Sequence, residues 1–149
     1  MAASQSLSDA IDRVIEDFNK RRLDLPDGFF DRKTQFVING AAFETLLSTN
    51  PTDPLVLMLA RGPAGYRFTT KALQHALPDA KIERGDVTNR APDVDLKLWL
   101  SGTLRGSGEP LNIVVDVTLR LTAAGSIEVA EAGVDPVALE KIREARLQP

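Results

Sequence analysis

Between Val94 and Gly106 the chain reads VDLKLWLSGTLRG, leucine alternating with almost everything else. A strand sends successive side chains to opposite faces, so Leu96, Leu98, Leu100 and Leu104 share one face, and Lys97, Trp99, Ser101, Thr103 and Arg105 the other. The stretch from Pro110 to Thr122 alternates in the same way. With GSGE at 106–109 as a four-residue loop, Leu96 falls opposite Leu119, Leu98 opposite Val117, Leu100 opposite Val115 and Leu104 opposite Leu111. On the second face Asp95 meets Arg120, Lys97 meets Thr118 and Trp99 meets Asp116. A slip of one residue would mix the two sets, so the sorting supports an antiparallel pair with one apolar wall.

The next turn, Ala123-Ala124-Gly125, suits a three-residue hairpin loop with glycine in the left-handed position. Counting on from it, Leu121 faces Ile127, Leu119 faces Val129 and Val117 faces Glu131. Glu131 is then the one ionisable group on the apolar wall. Lys81 to Thr88 adds a further strand ahead of these three.

Helices occupy the first half. Leu7, Ile11, Val14, Ile15 and Phe18 form one helical stripe, with Ser6 and Asp9 at capping-box spacing. LPDGFFD reads as a turn or a short helix, and Asn39-Gly40 is a two-residue hairpin signal after TQFVI. Ala41 to Leu47 suits either a returning strand or a helix. Asp53-Pro54 and Asp135-Pro136 are each a cap followed by a first-turn proline, opening PLVLMLAR and the last helix, which carries Val137, Leu139 and Ile142. Gly62-Pro63 interrupts the former, and YRFTTKALQHAL continues as a second helix ended by Pro78. Helices first and antiparallel strands later predict an α+β fold with the helices on one side of a sheet.

Length and charge narrow the function classes. A chain of 149 residues is expected to form a single domain, 1–149. Its net charge of −3, with 18 basic and 21 acidic residues in mixed sign, lacks the basic stripe that a nucleic-acid binder uses against phosphates. With no cysteine and one histidine, neither a thiolate site nor a histidine-rich metal centre is expected. The aspartates at 93, 95 and 116 lack metal-ligand spacing, so no metal and no cofactor is predicted. Pro54 to Ala60, the longest apolar run, is far short of the ~18 residues of a membrane span, and the first residues carry no signal-peptide pattern. A soluble, cytoplasmic protein is the expectation.

The order of elements, with ALPDAKIERGDV entering the sheet, VDLKLWLSGTLRG next and VVDVTLRLTAAGSIEVAEAGVD after it, resembles the nuclear transport factor 2-like superfamily. The polyketide-cyclase and ketosteroid-isomerase branches are the most similar, and the likeness is weakest between Gln35 and Gly62. It implies a cystatin-like, cone-shaped roll: a curved antiparallel sheet wrapped around N-terminal helices, an apolar pocket inside, a C-terminal helix, and a homodimer formed through the outer sheet face. It also implies acid–base positions, and this sequence departs from them. Gly102-Thr103 is followed by Leu104 where cyclase-like members often carry histidine. Val117 stands three residues before Arg120, where an aspartate is common, and Phe36-Val37-Ile38-Asn39 occupies the region of the isomerase aspartate. Glu131 stands where relatives often have a pocket tryptophan.

The candidate residues follow. Glu131 in an apolar pocket would have its carboxylate form disfavoured, raising it toward use as an acid or base; at a frayed strand end it would simply be solvated. Tyr66, on the Leu73 and Leu77 side of its helix, either donates to a ligand oxygen or serves as a core aromatic. Ligand contact is expected from Phe36, Ile38, Leu96, Leu98, Leu100, Leu104, Val115, Val117 and Leu119, and dimer contact from Trp99 and Thr118. His75 falls on the opposite helix face and is expected in solvent. RGPAGYR lacks the glycine spacing and the lysine of a phosphate loop. Two functions fit: a binding domain for an apolar or polycyclic small molecule, extending to an isomerase, cyclase or lyase that uses Glu131 or Tyr66; or a non-catalytic dimerisation or protein-interaction module whose pocket is filled by its own side chains.

Overall fold

A computed structural model describes residues 2–26, 28–47 and 53–149. In chain order it contains α1 (Ala2–Asn19), β1 (Phe30–Ile38), β2 (Ala41–Ala42), α2 (Phe43–Leu47), α3 (Pro54–Ala60), α4 (Gly62–Ala76), β3 (Lys81–Arg90), β4 (Asp93–Thr103), β5 (Pro110–Leu121), β6 (Ile127–Gly133) and α5 (Pro136–Arg146). The strands form one six-stranded sheet in the order β2-β1-β6-β5-β4-β3. Helices cover one face of it, as the α+β expectation requires. Among the described residues no helix is long and apolar enough to cross a membrane.

Local chemistry sets most element boundaries. Asp53 caps α3 by accepting from the Leu55 N–H at 2.9 Å, and Asp135 caps α5 by accepting from the Ala138 N–H at 3.0 Å. Asn39 and Gly40 both take positive φ, 51° and 81°, the geometry of a two-residue turn between β1 and β2. Ala41–Ala42 pairs as a strand and Phe43–Leu47 turns helical, so each alternative for that segment holds for part of it. Gly125 has φ of 88° in the β5–β6 loop, as expected. The stretch after α1 is a turn without a helix among its described residues.

Four expectations need correction. α1 begins at Ala2, ahead of Ser6; the alanines and glutamine there are compatible with helix, so the helix runs through the proposed cap. β1 lies parallel to β6, which makes the sheet mixed instead of wholly antiparallel. The β4–β5 register differs by two residues: Leu96 faces Val117, Leu98 faces Val115, Leu100 faces Ile113, Trp99 faces Val114, and Asp93 faces Arg120. The cause is a longer loop, since Leu104 leaves the strand and its N–H donates to the Glu109 carbonyl at 2.8 Å. A two-residue shift preserves the pleat, so the faces survive although the partners change.

The fourth correction concerns β6. Leu121 pairs with Ile127 as counted, but Arg120 pairs with Val129 and Leu119 with Ala130, leaving Glu128 as the extra residue of a β-bulge. Beyond it the faces reverse. Ala130 and Ala132 turn inward opposite Leu119 and Val117, while Glu131 turns outward opposite Thr118 and is exposed. The β1–β6 ladder also breaks beside Ile127, between Phe30 and Gln35. There the Thr34 hydroxyl, 1% exposed, donates to the Ile127 carbonyl at 2.6 Å and pairs a backbone acceptor beside the break.

Two apolar clusters fill the covered side. Leu100, Leu104 and Leu111 pack with Phe18, Ala76, Leu77, Ala80, Ala138 and Ala145, under α4 and α5. Val94, Leu96, Leu119 and Ile127 pack with Ile11 of α1. Burying such side chains stabilises the fold by about 1.5–3 kcal/mol each. α1 lies close to β3, and α4 close to β1 and α5, so the two long helices lean on opposite flanks of the sheet.

Candidate functional site

The register fixes what the concave face presents. Its inward positions are Val94, Leu96, Leu98, Leu100 and Gly102 on β4, Leu111, Ile113, Val115, Val117, Leu119 and Leu121 on β5, and Ile127, Ala130 and Ala132 on β6. None is polar or ionisable. β1 contributes Phe30, Phe36 and Ile38, aligned with Ile127, Ala130 and Ala132. The ligand-contact residues expected from the sequence therefore share one side, apart from Leu104, which sits in the turn after β4.

Burial divides this wall. Leu96, Leu100, Leu104 and Leu119 are buried, each 5% exposed or less, and lie under the protein's own helices. Leu98, Val115, Val117, Phe36 and Ile38 are half-buried. Leu98 and Val117 pack against the cluster around Ile11, and Val115 against the cluster around Phe18, so the residual exposure of the wall lies along its middle and at Phe36 and Ile38.

Aromatic rings gather along its β1 side. Phe30 meets Phe29 edge-on at 4.7 Å between centroids, Phe36 edge-on at 5.1 Å and Tyr66 at 5.6 Å. Tyr66 reaches them from α4, whose Gly65 lets the helix approach Phe36: a Cβ there would come within 3.1 Å of the Phe36 ring and would collide with the Ala60 carbonyl oxygen. Burial pushes the Tyr66 phenol above its usual value; a hydrogen bond with Thr70 acts the other way, and the charge of Asp17 adds to the rise. The hydroxyl stays protonated through neutral pH and is a hydrogen-bond donor beside an apolar wall. Phe30 was not among the expected ligand contacts, because the exposed Arg32 interrupts the apolar alternation that would join it to Phe36 and Ile38.

A polar rim lies on the β3 side. Arg84, aligned with Leu98 and so directed inward, donates from Nε to Asp12 Oδ1 of α1 at 2.6 Å. A second contact, Nη2 to Asp12 Oδ2, measures 3.4 Å. This paired fork ties α1 to the sheet at the margin of the apolar wall.

Other sequence candidates fall elsewhere. Glu131 is exposed on the convex face, away from Tyr66, because the bulge reverses its side. Asp116 lies opposite Lys97 on that same face. Asn39 spends both ends of its amide on the backbone of Val134, donating from Nδ2 and accepting at Oδ1, each at 2.8 Å. It locks the end of β6 and is not a spare acid or base. His75 is exposed, with Nε2 at 2.7 Å from the Gln148 carbonyl. α3 ends at Ala60 and Arg61 caps both helices, so Gly62, expected as the stop, is instead the first residue of α4, and Pro63 lies in its first turn as expected.

The convex face differs in kind. Trp99 is 42% exposed, and its ring lies over Gly85, where a Cβ would come within 2.6 Å of the indole. Around it runs a shallow groove of about 490 Å³ that includes Asp86, Thr88, Lys97, Asp116 and Thr118. Thr118 donates to Asp95 at 2.8 Å, and Arg90 donates to the same carboxylate at 2.7 Å. Those two bonds, Arg90 first, hold the Asp95 carboxyl below its usual value.

Neither a protein-family model nor a curated protein matches the sequence. Solved structures do match in fold. A SnoaL-like polyketide cyclase from Agrobacterium tumefaciens is 19% identical, with a TM-score of 0.63 over 91% of this chain and 95% of that one. TerC, crystallised with polyporic acid, is 12% identical, with a TM-score of 0.66 over 93% and 98%. A ketosteroid isomerase-like protein from Catenulispora acidiphila, in complex with trimethylamine, is 11% identical, with a TM-score of 0.63 over 96% and 93%. The architecture is accordingly the α+β cone seen in these SnoaL-like and ketosteroid isomerase-like structures. At such identities the likeness is one of fold, and residue roles rest on this chain's own geometry.

Proposed function

We propose that this chain is a small-molecule-binding domain whose concave face takes a hydrophobic or polycyclic ligand, oriented by a hydrogen bond from Tyr66 to a ligand oxygen. The observation that carries the reading is the pairing of an entirely apolar inward set on β4, β5 and β6 with one protonated phenol at its margin. An ionic group placed against that wall would lose its hydration without gaining a partner, so the ligand is uncharged where it meets the leucines. Binding fits this site better than acid–base turnover: Glu131 lies on the other face, and a raised Tyr66 pKa makes the phenol a lasting donor and a weak acid.

The test uses an aromatic ketone such as flavone as probe. Flavone should bind, and Tyr66→Phe should weaken it roughly three- to tenfold, the value of one net hydrogen bond. Glu131→Gln should leave the affinity unchanged. Equal affinity in Tyr66→Phe, or a loss in Glu131→Gln, would reject the assignment.

The exposed Trp99 favours a second role on the convex face, a homodimer contact that includes Thr118. Trp99→Glu should then sediment as a monomer where the parent sediments as a dimer. An unchanged sedimentation coefficient removes the contact.

A further inference from the structure

From Pro54 to Pro78 the chain carries Arg61, Arg67, Lys71 and His75 but no aspartate or glutamate, although the whole sequence has 21 acidic residues. That segment is α3 and α4. Its first helix is apolar throughout and leaves Leu55 65% and Met58 61% exposed, three residues apart and so on neighbouring positions of one face. Large apolar side chains displayed on a segment that carries no acidic residue are an unusual surface for a net-acidic protein.

A surface cavity of about 730 Å³, open to solvent like the groove around Trp99, lies there, between α3, the α3–α4 junction and the first half of β1. Its apolar lining includes Leu57, Met58 and Pro63, and its charged lining is Asp31, Arg32, Lys33 and Arg61. The junction sits hard against the strand, since a Cβ on Gly62 would come within 2.7 Å of the Arg32 carbonyl oxygen. Arg61 is already compensated: its Nη2 donates at 2.9 Å to Glu44, a carboxylate of α2 that is only 5% exposed. Asp31 accepts from the Lys33 N–H at 3.3 Å. Arg32 and Lys33 are exposed and form no ion pair among the described residues. None of the cavity's lining residues belongs to the concave wall.

We infer that this cavity is a second ligand site, for a free single-chain carboxylate whose head pairs with Arg32 and Lys33 and whose aliphatic tail lies along Leu57 and Met58. The volume lies within the roughly 300–1,000 Å³ of small-molecule sites. An arginine fork matches a carboxylate, and the adjacent lysine adds a second positive charge. Neither half of such a ligand suffices: acetate lacks the tail that displaces water from Met58, and an alcohol lacks the charge.

The test is amide NMR of the full chain with octanoate, acetate and 1-octanol. Octanoate should shift the resonances of Arg32, Lys33, Leu57 and Met58 saturably, with acetate and 1-octanol each binding roughly tenfold more weakly or worse. The double variant Arg32→Glu/Lys33→Glu should lose octanoate binding, and added salt should weaken it in the parent. Tyr66→Phe should leave it intact, which separates this site from the concave pocket. Octanoate shifts confined to the concave face, equal affinity for 1-octanol, or retained binding in the double variant would each overturn the inference. A dispersed spectrum from the double variant keeps its loss of binding distinct from unfolding.

Discussion

The two faces of one sheet obey opposite rules although every strand residue on one is a chain neighbour of a residue on the other. Leu96, Leu98 and Leu100 pack inward with Val117, Val115 and Ile113, whereas Asp95, Lys97 and Trp99 face outward with Thr118, Asp116 and Val114. The inward set is held by dispersion and by exclusion of water, which have no preferred direction. The outward set is held by directed pairs such as Arg90 with Asp95, at 2.7 Å in solvent, where an ion pair contributes at most about 1 kcal/mol. The comparison separates stability from specificity. The concave face sustains the fold, while the convex face can change its charges with little cost to folding.

Truncation gives the largest expected contrast. Leu100→Ala should lower unfolding free energy in urea by about 2–5 kcal/mol, since its site is closed by Leu77, Ala80 and Leu111. Val114→Ala, on the exposed face, should cost less than about 1 kcal/mol. Similar losses at the two positions would break the contrast.

A neighbouring pair in β6 tests the bulge itself. Ala130→Glu places a carboxylate against Leu119 and should cost about 3 kcal/mol, while Glu131→Ala, one residue on, should change stability by no more than about 0.5 kcal/mol. The reverse order would restore the unbulged register.

The smallest effects are in pH dependence, and the faces should differ in sign. Asp95 and Asp79 have lowered carboxyl pKa values, the latter through the Thr103 N–H and then its hydroxyl. Below the unfolded value near ~3.9 the unfolded chain binds more protons, so their contribution is present above that pH and lost as pH falls through the folded values. Tyr66, with a raised pKa, contributes stability that is present below the unfolded value near ~10 and lost as pH rises through the folded one. Denaturation midpoints across pH should therefore lose part of the acid slope in Asp79→Asn/Asp95→Asn and part of the alkaline slope in Tyr66→Phe. Ultraviolet titration reads the phenol directly, because Tyr66 is the single tyrosine.

Alternation determined a great deal without any tertiary information. The parity of Leu96, Leu98 and Leu100 against Val115, Val117 and Leu119 assigned both faces of β4 and β5, and it tolerated a two-residue error because the pleat repeats every two residues. The cap-proline pairs at Asp53 and Asp135 and the Asn39-Gly40 turn were equally legible, since each acts through its own backbone. Glu131 was not legible by counting, for a single inserted residue reverses every face beyond it. A physical signal was present nonetheless: strict alternation in IEVAEA would bury a carboxylate, and a bulge at Glu128 replaces it with Ala130 and Ala132. Parallel pairing of β1 with β6, the meeting of Phe30 with Tyr66, and the seating of Arg32 and Lys33 beside α3 join residues far apart in the chain. Local pattern cannot encode such contacts. They depend on how the curved sheet and its flanking helices fill space, and tertiary structure alone decides where that filling leaves a ligand room.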